Sequence, residues 1–337
     1  QVDAEILPFV RTAAGVRVED ATQSVNTLDL FGGPAPFTPA PLQNTYVLPT
    51  GTVTWNFADD WQVRVGASET IARPQFRELA PQQYLDPDSD RLFVGNPFLV
   101  DSKLLNVDAR LERYLPGGEF FTGGVFYKDI DRPVESVVNE AGATVQQTYI
   151  NAPRANIIGA ELEAKKYFDF GWTHPFLVNK RWLTQANYTF SKSEVQVEAG
   201  DVVFPLAAAG QPRPALEYVR NGSKLQGQSD HLVNFQFGFE DDVARSQATV
   251  LLTWVSDRIT ARGRPGQPDL VQSPGITLDF TFRKDVLIAG EDFSFGLNAR
   301  NLLDQDFEEF QQQGANIVYN NMYTVGTSIS LSLSKTF

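Results

Sequence analysis

The chain has 337 residues, 42% hydrophobic and 12% aromatic, with a formal net charge of −13. It lacks cysteine, which excludes disulfides, thiolate metal sites and a cysteine nucleophile, and its acidic balance argues against nucleic acid as a partner. Mean hydropathy is −0.23, and no apolar run approaches the ~18 residues of a membrane-spanning helix.

The opening Gln1-Val-Asp-Ala-Glu5 has neither the basic nor the apolar region of a secretion signal, so the chain is expected to begin downstream of its gene product's start. Period-two alternation then recurs to the end, the mark of strands whose side chains point to opposite faces. A first strand is expected over 9–19, followed by a Pro-rich loop near 31–41. The second places Val53, Trp55 and Phe57 on one face, and after Asp59-Asp60 the third places Trp61, Val63, Val65 and Ala67 there, with Arg64 opposite. Beyond a long loop over 72–103, the fourth has Val107, Ala109 and Leu111 against Asp108, Arg110 and Glu112. The fifth carries Phe121, Val125 and Tyr127.

After a loop near 134–153, the sixth strand sets Ile158, Ala160, Leu162 and Ala164 against Glu161, Glu163 and Lys165. An aromatic link (Phe168, Phe170, Trp172, Phe176) leads to the seventh, with Trp182, Ala186, Tyr188 and Phe190 outward. A loop over 195–224 precedes the eighth, with Val233, Phe235, Phe237 and Phe239. The ninth (Ala248, Val250, Leu252, Trp254), tenth (Ile276, Leu278, Phe280, Phe282) and eleventh (Phe293, Phe295, Leu297, Ala299) follow, the last with Arg300 on its other face. The closing stretch, Tyr323 to Phe337, has Tyr323, Val325, Ile329, Leu331, Leu333 and Phe337 on one face and hydroxyls and glycine on the other.

About twelve strands of this kind describe an all-β chain, a transmembrane antiparallel β-barrel in which only alternate residues meet lipid and mean hydropathy stays low. Short connections alternate with long ones, as periplasmic turns alternate with extracellular loops in such barrels. The aromatics Trp55, Phe57, Trp61, Tyr114, Phe121, Phe168, Trp182, Phe239, Phe282, Phe293 and Phe337 sit beside short turns and are expected to form one girdle.

The segments Thr70-Ile-Ala-Arg-Pro-Gln-Phe-Arg-Glu-Leu-Ala-Pro81, Gly95-Asn-Pro97, Asn106-Val-Asp-Ala-Arg-Leu-Glu-Arg-Tyr114, Gly124-Val-Phe-Tyr-Lys128 and Asn298-Ala-Arg-Asn-Leu-Leu-Asp304, with the terminal Phe337, resemble the TonB-dependent outer-membrane receptors. The resemblance covers essentially the whole chain. It implies a barrel of about 22 strands closed by an N-terminal plug. Neither a plug nor a TonB box is found in the sequence, so residues 1–337 are expected to be the C-terminal portion of such a barrel, with the plug and N-terminal strands absent from this chain.

The resemblance further implies active uptake of a scarce nutrient, with a ferric siderophore favoured over carbohydrate or other ligands. The implied partners are the plug and remaining strands, TonB–ExbB–ExbD acting through the plug, outer-membrane lipid and lipopolysaccharide, the barrel assembly machinery, and a surface lipoprotein. The assembly machinery would read the closing strand through Tyr323, Leu331, Leu333 and Phe337, while Arg64, Asp108, Arg110, Glu112, Glu161, Glu163 and Arg300 would face the plug. No cofactor is expected.

Ligand contact is expected from extracellular loops, because guanidinium groups and aromatics at a rim suit anionic or planar ligands. The candidates are Arg73, Phe76, Arg77, Tyr84 and Arg91 in the 72–103 loop, Arg262 and Arg264 in the basic 258–264 loop, and Tyr319. Against each stands the plain reading of a solvated or packed loop residue. Asp86-Pro-Asp-Ser-Asp90 opens like a calcium loop but lacks the following glycine and the closing glutamate. A self-contained twelve-stranded passive pore is the runner-up. An outer-membrane hydrolase built on Ser229 and His231 is a third reading; the two histidines, His174 and His231, lie toward opposite ends of the barrel.

Overall fold

A computed structural model describes residues 1–26, 40–87, 91–141, 144–174, 177–263 and 266–335. One antiparallel sheet of thirteen strands runs through them in chain order. We number these wall strands β1 (Val2–Leu7), β2 (Val10–Gln23), β3 (Leu42–Ala58), β4 (Trp61–Ala72), β5 (Ser102–Leu115), β6 (Glu119–Asp131), β7 (Arg154–Phe168), β8 (Arg181–Gln196), β9 (His231–Asp241), β10 (Ser246–Val255), β11 (Gly275–Ile288), β12 (Glu291–Arg300) and β13 (Ser328–Lys335). Twelve of them answer to the expected strands, and β1 is an addition: a hairpin with a bulge between Glu5 and Leu7 that pairs Val2 with Ala14. Among the described residues no helix is long and apolar enough to cross a membrane.

The register carries the two-face pattern across the whole sheet. Val53 stands opposite Val65, Val65 opposite Ala109, Ala109 opposite Val125 and Val125 opposite Ala160. The same face continues later in the wall in a row through Phe237 and Val250, Phe280 and Ala299, and Ile329. On the other face Arg64 meets Arg110, Glu112 meets Thr122, and Asn298 meets Ser330. Because a one-residue slip would exchange the faces, unbroken apolar and polar rows fix the register. Leu331, Leu333 and Ile329 are 67–70% exposed, an apolar surface that a solvated sheet would not present.

Connections sort by end. One end has tight turns at Asp59-Asp60, 116–118, 242–245 and 289–290, the last with Ala289 and Gly290 both at positive φ. The link 169–180 is the long exception there; Phe170 and Trp172 stack 4.7 Å apart and turn back onto Trp182. At the other end lie the long connections over 73–101, 132–153, 197–230, 256–274 and 301–327, which contain further short strands.

Two expectations are corrected. Tyr114 does not join the girdle: it lies in the polar row opposite Phe120, and its hydroxyl reaches Glu112 at 3.4 Å. The closing strand does not begin at Tyr323. Gly326 takes φ 75°, the Thr327 hydroxyl donates to the Asn301 carbonyl (2.8 Å), and the wall strand starts only at Ser328. Tyr323 instead ends a loop strand and stacks on Phe307 at 4.7 Å. Phe337 lies outside the described residues.

Close backbone approach explains Gly238 in β9, where an added Cβ would come within 2.2 Å of the Ala248 carbonyl oxygen on β10. Gly238→Val should therefore cost about 1–3 kcal/mol of wall stability, read as a lower midpoint in urea unfolding of the folded protein in lipid.

Candidate functional site

The long connections build a crown from two four-stranded sheets. The first takes Gln83–Asp86 and Arg91–Val94 from the 73–101 loop together with Val134–Ala141 and Thr144–Asn151 from the next. The second takes Arg258–Ala261, Leu270–Gln272, Phe307–Gln313 and Asn316–Tyr323. The chain's main apolar core lies here: Ile130, Val137, Ile150, Ile157, Val195, Val203 and Val219 pack as one buried cluster over the outer ends of β6 to β8.

Two asparagines, Asn96 and Asn151, tie the first sheet to its surroundings. Asn96 is fully buried, and its amide donates to the Tyr149 carbonyl (2.7 Å) and the Phe204 carbonyl (2.8 Å). An added Cβ on the preceding Gly95 would sit 2.3 Å from the Ala80 carbonyl, so Gly95-Asn96 is a packing requirement. The amide of Asn151 donates to Val100 (3.0 Å) and Arg132 (2.8 Å), closing the same corner. On the second side Asn301, at φ 54°, donates to the Gln305 and Gly326 carbonyls and joins the two ends of the last loop.

The two sheets meet along Val134–Ala141 and Arg258–Ala261. Val138 N donates to the Arg262 carbonyl (3.0 Å), and Arg262 N to the Ser136 carbonyl (2.9 Å). The Arg262 guanidinium is 1% exposed; it pairs closely with Glu135, bonds to Asp269 at 3.2 Å and donates to the Lys224 carbonyl at 2.5 Å. Burial pushes the Glu135 carboxyl up, and Arg262 opposes that shift. A second tie joins Arg91 of the first sheet to Glu309 of the second, which also accepts from the Thr260 hydroxyl. Burial lowers the Arg91 guanidinium, with Asp86 acting against it.

These contacts place the expected ligand residues. Arg262 is corrected from a surface cation to a buried tie, and Arg91 is likewise held between the sheets. Arg73 donates to Glu19 at 2.8 Å, below the crown. Tyr84 stacks on Phe93 at 5.4 Å, and its hydroxyl meets that of Tyr149 at 3.0 Å; burial foremost, then this bond, pushes the Tyr149 phenol up. Phe76 is 65% exposed on the short helix Phe76–Leu79, and Arg77 beside it is exposed as well. Tyr319 is exposed on a crown edge strand, opposite Phe310. Phe76, Arg77 and Tyr319 thus remain exposed, Tyr84 is half-buried against Phe93 and Tyr149, and Arg73, Arg91 and Arg262 are engaged in ion pairs. Arg264, Asp88 and Asp90 lie outside the described residues. Among the described residues no group of three or more His, Asp or Glu is placed to hold a metal ion.

The polar face of the wall carries a charge network at one height. Glu112, 2% exposed, accepts closely from Gln62, lies 3.3 Å from Arg110 and 3.7 Å from Arg64, and Arg110 reaches Glu163 at 3.6 Å. Asp108, Glu161 and Arg300 share this face outside the network. The His231 ring sits on the apolar face among Tyr188, Phe190 and Trp254, its Nδ1 2.9 Å from the Tyr188 hydroxyl. That partner is an aromatic neighbour of the wall and leaves Ser229 out of a Ser–His pair.

The residues missed by the sequence are the acids Glu135 and Asp269. The Arg262 partner of Glu135 stands 127 residues away, and no local pattern marks either acid. Glu135→Ala would remove the closer of the two carboxylates that hold the buried Arg262 guanidinium, a loss of about 3 kcal/mol. The expected result is faster hydrogen exchange in 134–151 and 258–272, with exchange in the wall strands unchanged.

Comparison with known proteins agrees with this architecture. Residues 7–302 match the family model described as TonB dependent receptor-like, beta-barrel. No curated protein matches. The ferric enterobactin receptor PfeA of Pseudomonas aeruginosa, in a mutant form, superposes with a TM-score of 0.57 at 14% identity, over 99% of this chain and 44% of that one. The siderophore receptor PiuA of Acinetobacter baumannii gives a TM-score of 0.61 at 12% identity, over 98% and 41%. The FrpB iron transporter of Neisseria meningitidis gives 0.56 at 11%, over 97% and 42%. The chain spans less than half the length of these structures, and at such identities they show the fold alone. By its sequence match over 7–302, this chain belongs to the TonB-dependent receptor β-barrel family of the outer membrane.

Proposed function

We propose that the chain forms the C-terminal wall and part of the outer crown of a receptor that takes up ferric siderophores across the Gram-negative outer membrane. The observation that carries this is the thirteen-strand ladder with an apolar face outward and a charged face inward, crowned at one end only. Among the described residues both outer strands, β1 and β13, pair on one side alone. An unpaired edge in lipid leaves backbone donors and acceptors unsatisfied at several kcal/mol each. Further wall strands covering those edges give a closed barrel, whereas the self-contained pore would need the two edges to meet.

In this reading Arg64, Asp108, Arg110, Glu112, Glu161, Glu163 and Arg300 face a plug, which TonB–ExbB–ExbD rearranges. Phe76, Arg77, Tyr84 and Tyr319 contribute to ligand contact from the crown. The siderophore preference is supported by the siderophore receptors among the similar structures and by the exposed aromatic and guanidinium groups of the crown. Carbohydrate remains the competing cargo, and the barrel supplies no catalytic step.

Deleting the gene should abolish uptake of an iron-loaded siderophore under iron limitation, and complementation should restore it only in cells with TonB and a proton gradient. Uptake that persists without TonB, together with open conductance of the purified protein in planar bilayers, would establish the passive pore instead.

A further inference from the structure

The crown repeats the order of the wall beneath it. Its second sheet runs Arg258–Ala261, Leu270–Gln272, Phe307–Gln313, Asn316–Tyr323, as the wall runs β10, β11, β12, β13. The hairpin 307–323 is therefore the outward extension of the β12–β13 pair. The Asn301 amide, bonded to the Gly326 carbonyl (3.1 Å), and the Thr327 hydroxyl, bonded to the Asn301 carbonyl (2.8 Å), hold it there. Among the described residues Asn316–Tyr323 pairs with Phe307–Gln313 alone, so it is open on the same side as β13. A parallel bridge between Val137 and Arg262 joins the two four-stranded sheets of the crown into one belt, which ends at this open strand.

The open strand is not built to face water. Ile317, Val318, Tyr319, Met322 and Tyr323 are 45–62% exposed. By register they occupy both faces: Ile317, Tyr319 and Met322 stand opposite Gln312, Phe310 and Glu308, and Val318 and Tyr323 opposite Gln311 and Phe307. Sheet edges left open in water are blunted by charged side chains, proline or short length, because a long apolar edge is a template for pairing. Here no charged residue and no proline occurs between Phe310 and Lys335. The pairing carries one bulge, at Asn320, and the ladder continues on either side of it.

We propose that this edge takes a β-strand from the part of the receptor outside this chain, the outward continuation of the wall strand that pairs with β13. Three observations favour that occupant over a second copy or a foreign protein. An eight-residue edge with apolar side chains on both faces fits an extended segment, which adds main-chain bonds and packs on each side. A strand covering β13 in an antiparallel wall runs outward, so it emerges beside Ser328 on the side where 316–323 is open. About twelve further residues, roughly 40 Å of strand, carry it along that edge. This chain spans less than half the length of the similar structures, and the remainder of such a receptor supplies the strand. Tyr319, a ligand candidate of the crown, is then held by both halves of the receptor.

The inference rests on the reading of this chain as part of a larger closed barrel. In the test, photoreactive benzoylphenylalanine replaces Val318 or, separately, Leu331 of β13 in the complete receptor. Cross-links formed by ultraviolet light in intact cells are mapped by mass spectrometry. Both positions should cross-link within one polypeptide to a single stretch preceding residue 1, Val318 to a point roughly 13 positions later in that stretch than Leu331. If Leu331 links as expected but Val318 links to a second copy, another protein, another part of the receptor or nothing, strand addition alone is overturned. If Leu331 links to Val2–Leu7 or to nothing preceding residue 1, the larger barrel is refuted. Hydrogen exchange at single-amide resolution needs no variant. With the edge covered, every amide of 316–323 should exchange at least about tenfold slower than those of the turn 314–315. Fast exchange at alternate amides means an open edge and overturns the proposal.

Discussion

Backbone hydrogen bonding in a medium without water is the constraint on which this chain's architecture turns. Hydrocarbon offers the peptide group no partner, so a wall there must be a continuous ladder. Continuity then dictates the rest. Every strand must hold register with two neighbours, each must alternate apolar with polar residues, and irregular backbone is confined to the two ends. The wall obeys this from β2 to β12 up to the level where the β3–β4 ladder stops at Thr50 and Ser68, and apart from the link 169–180 the turns at one end are tight.

The crown solves a different problem. Its loops are long and wet, and loop residues carry a heavy ordering cost unless something fixes them. A compact apolar cluster around Ile150 and Val195 supplies most of the burial, and buried polar side chains set the geometry. Asn96, Asn151 and Asn301 each bond to carbonyls in two separate segments, as a backbone linker would. The Arg262 and Arg91 pairs add charge-assisted bonds between loops from opposite halves of the chain. Such pairs stabilise modestly in net terms but penalise any arrangement that separates them, which favours one crown geometry over its alternatives.

The wall was legible because period two is a local property. Val63 and Arg64 reveal their faces to anyone who knows their neighbours, and the register then follows from matching rows. Local reading overran where a single residue breaks the pattern. Alternation continues through Tyr323, Val325 and Thr327, yet Gly326 turns the chain out of the wall, and Tyr323 belongs to a loop hairpin. Tyr114 was misplaced for a related reason: an aromatic beside a turn resembles a girdle residue whichever face it occupies. The crown was the least legible part. Arg258, Arg262 and Arg264 form a basic run, and a basic run reads as solvated, but burial of Arg262 depends on Glu135 and Asp269 arriving from elsewhere.

The polar face itself is uneven, and the unevenness follows from strand sequence. On β4, β5 and β7 the inward face carries the ionised Arg64, Arg110, Glu112 and Glu163, and Glu112 draws Arg64, Arg110 and Gln62 into a dense, mutually neutralising patch. On β13 the inward side chains Ser328, Ser330, Ser332 and Ser334 are short and uncharged, and they face Ser294, Gly296 and Asn298 of β12, with Arg300 as the charged exception at the outer end. A domain seated against the first region must either match fixed charges or desolvate them, which makes contact there selective and costly to break. Against the second it meets hydroxyls that exchange partners with water at little cost. The inward face therefore carries a densely charged stretch around Glu112 and a hydroxyl-rich stretch on β13, a contrast already present between Arg64 and Ser330-Leu-Ser.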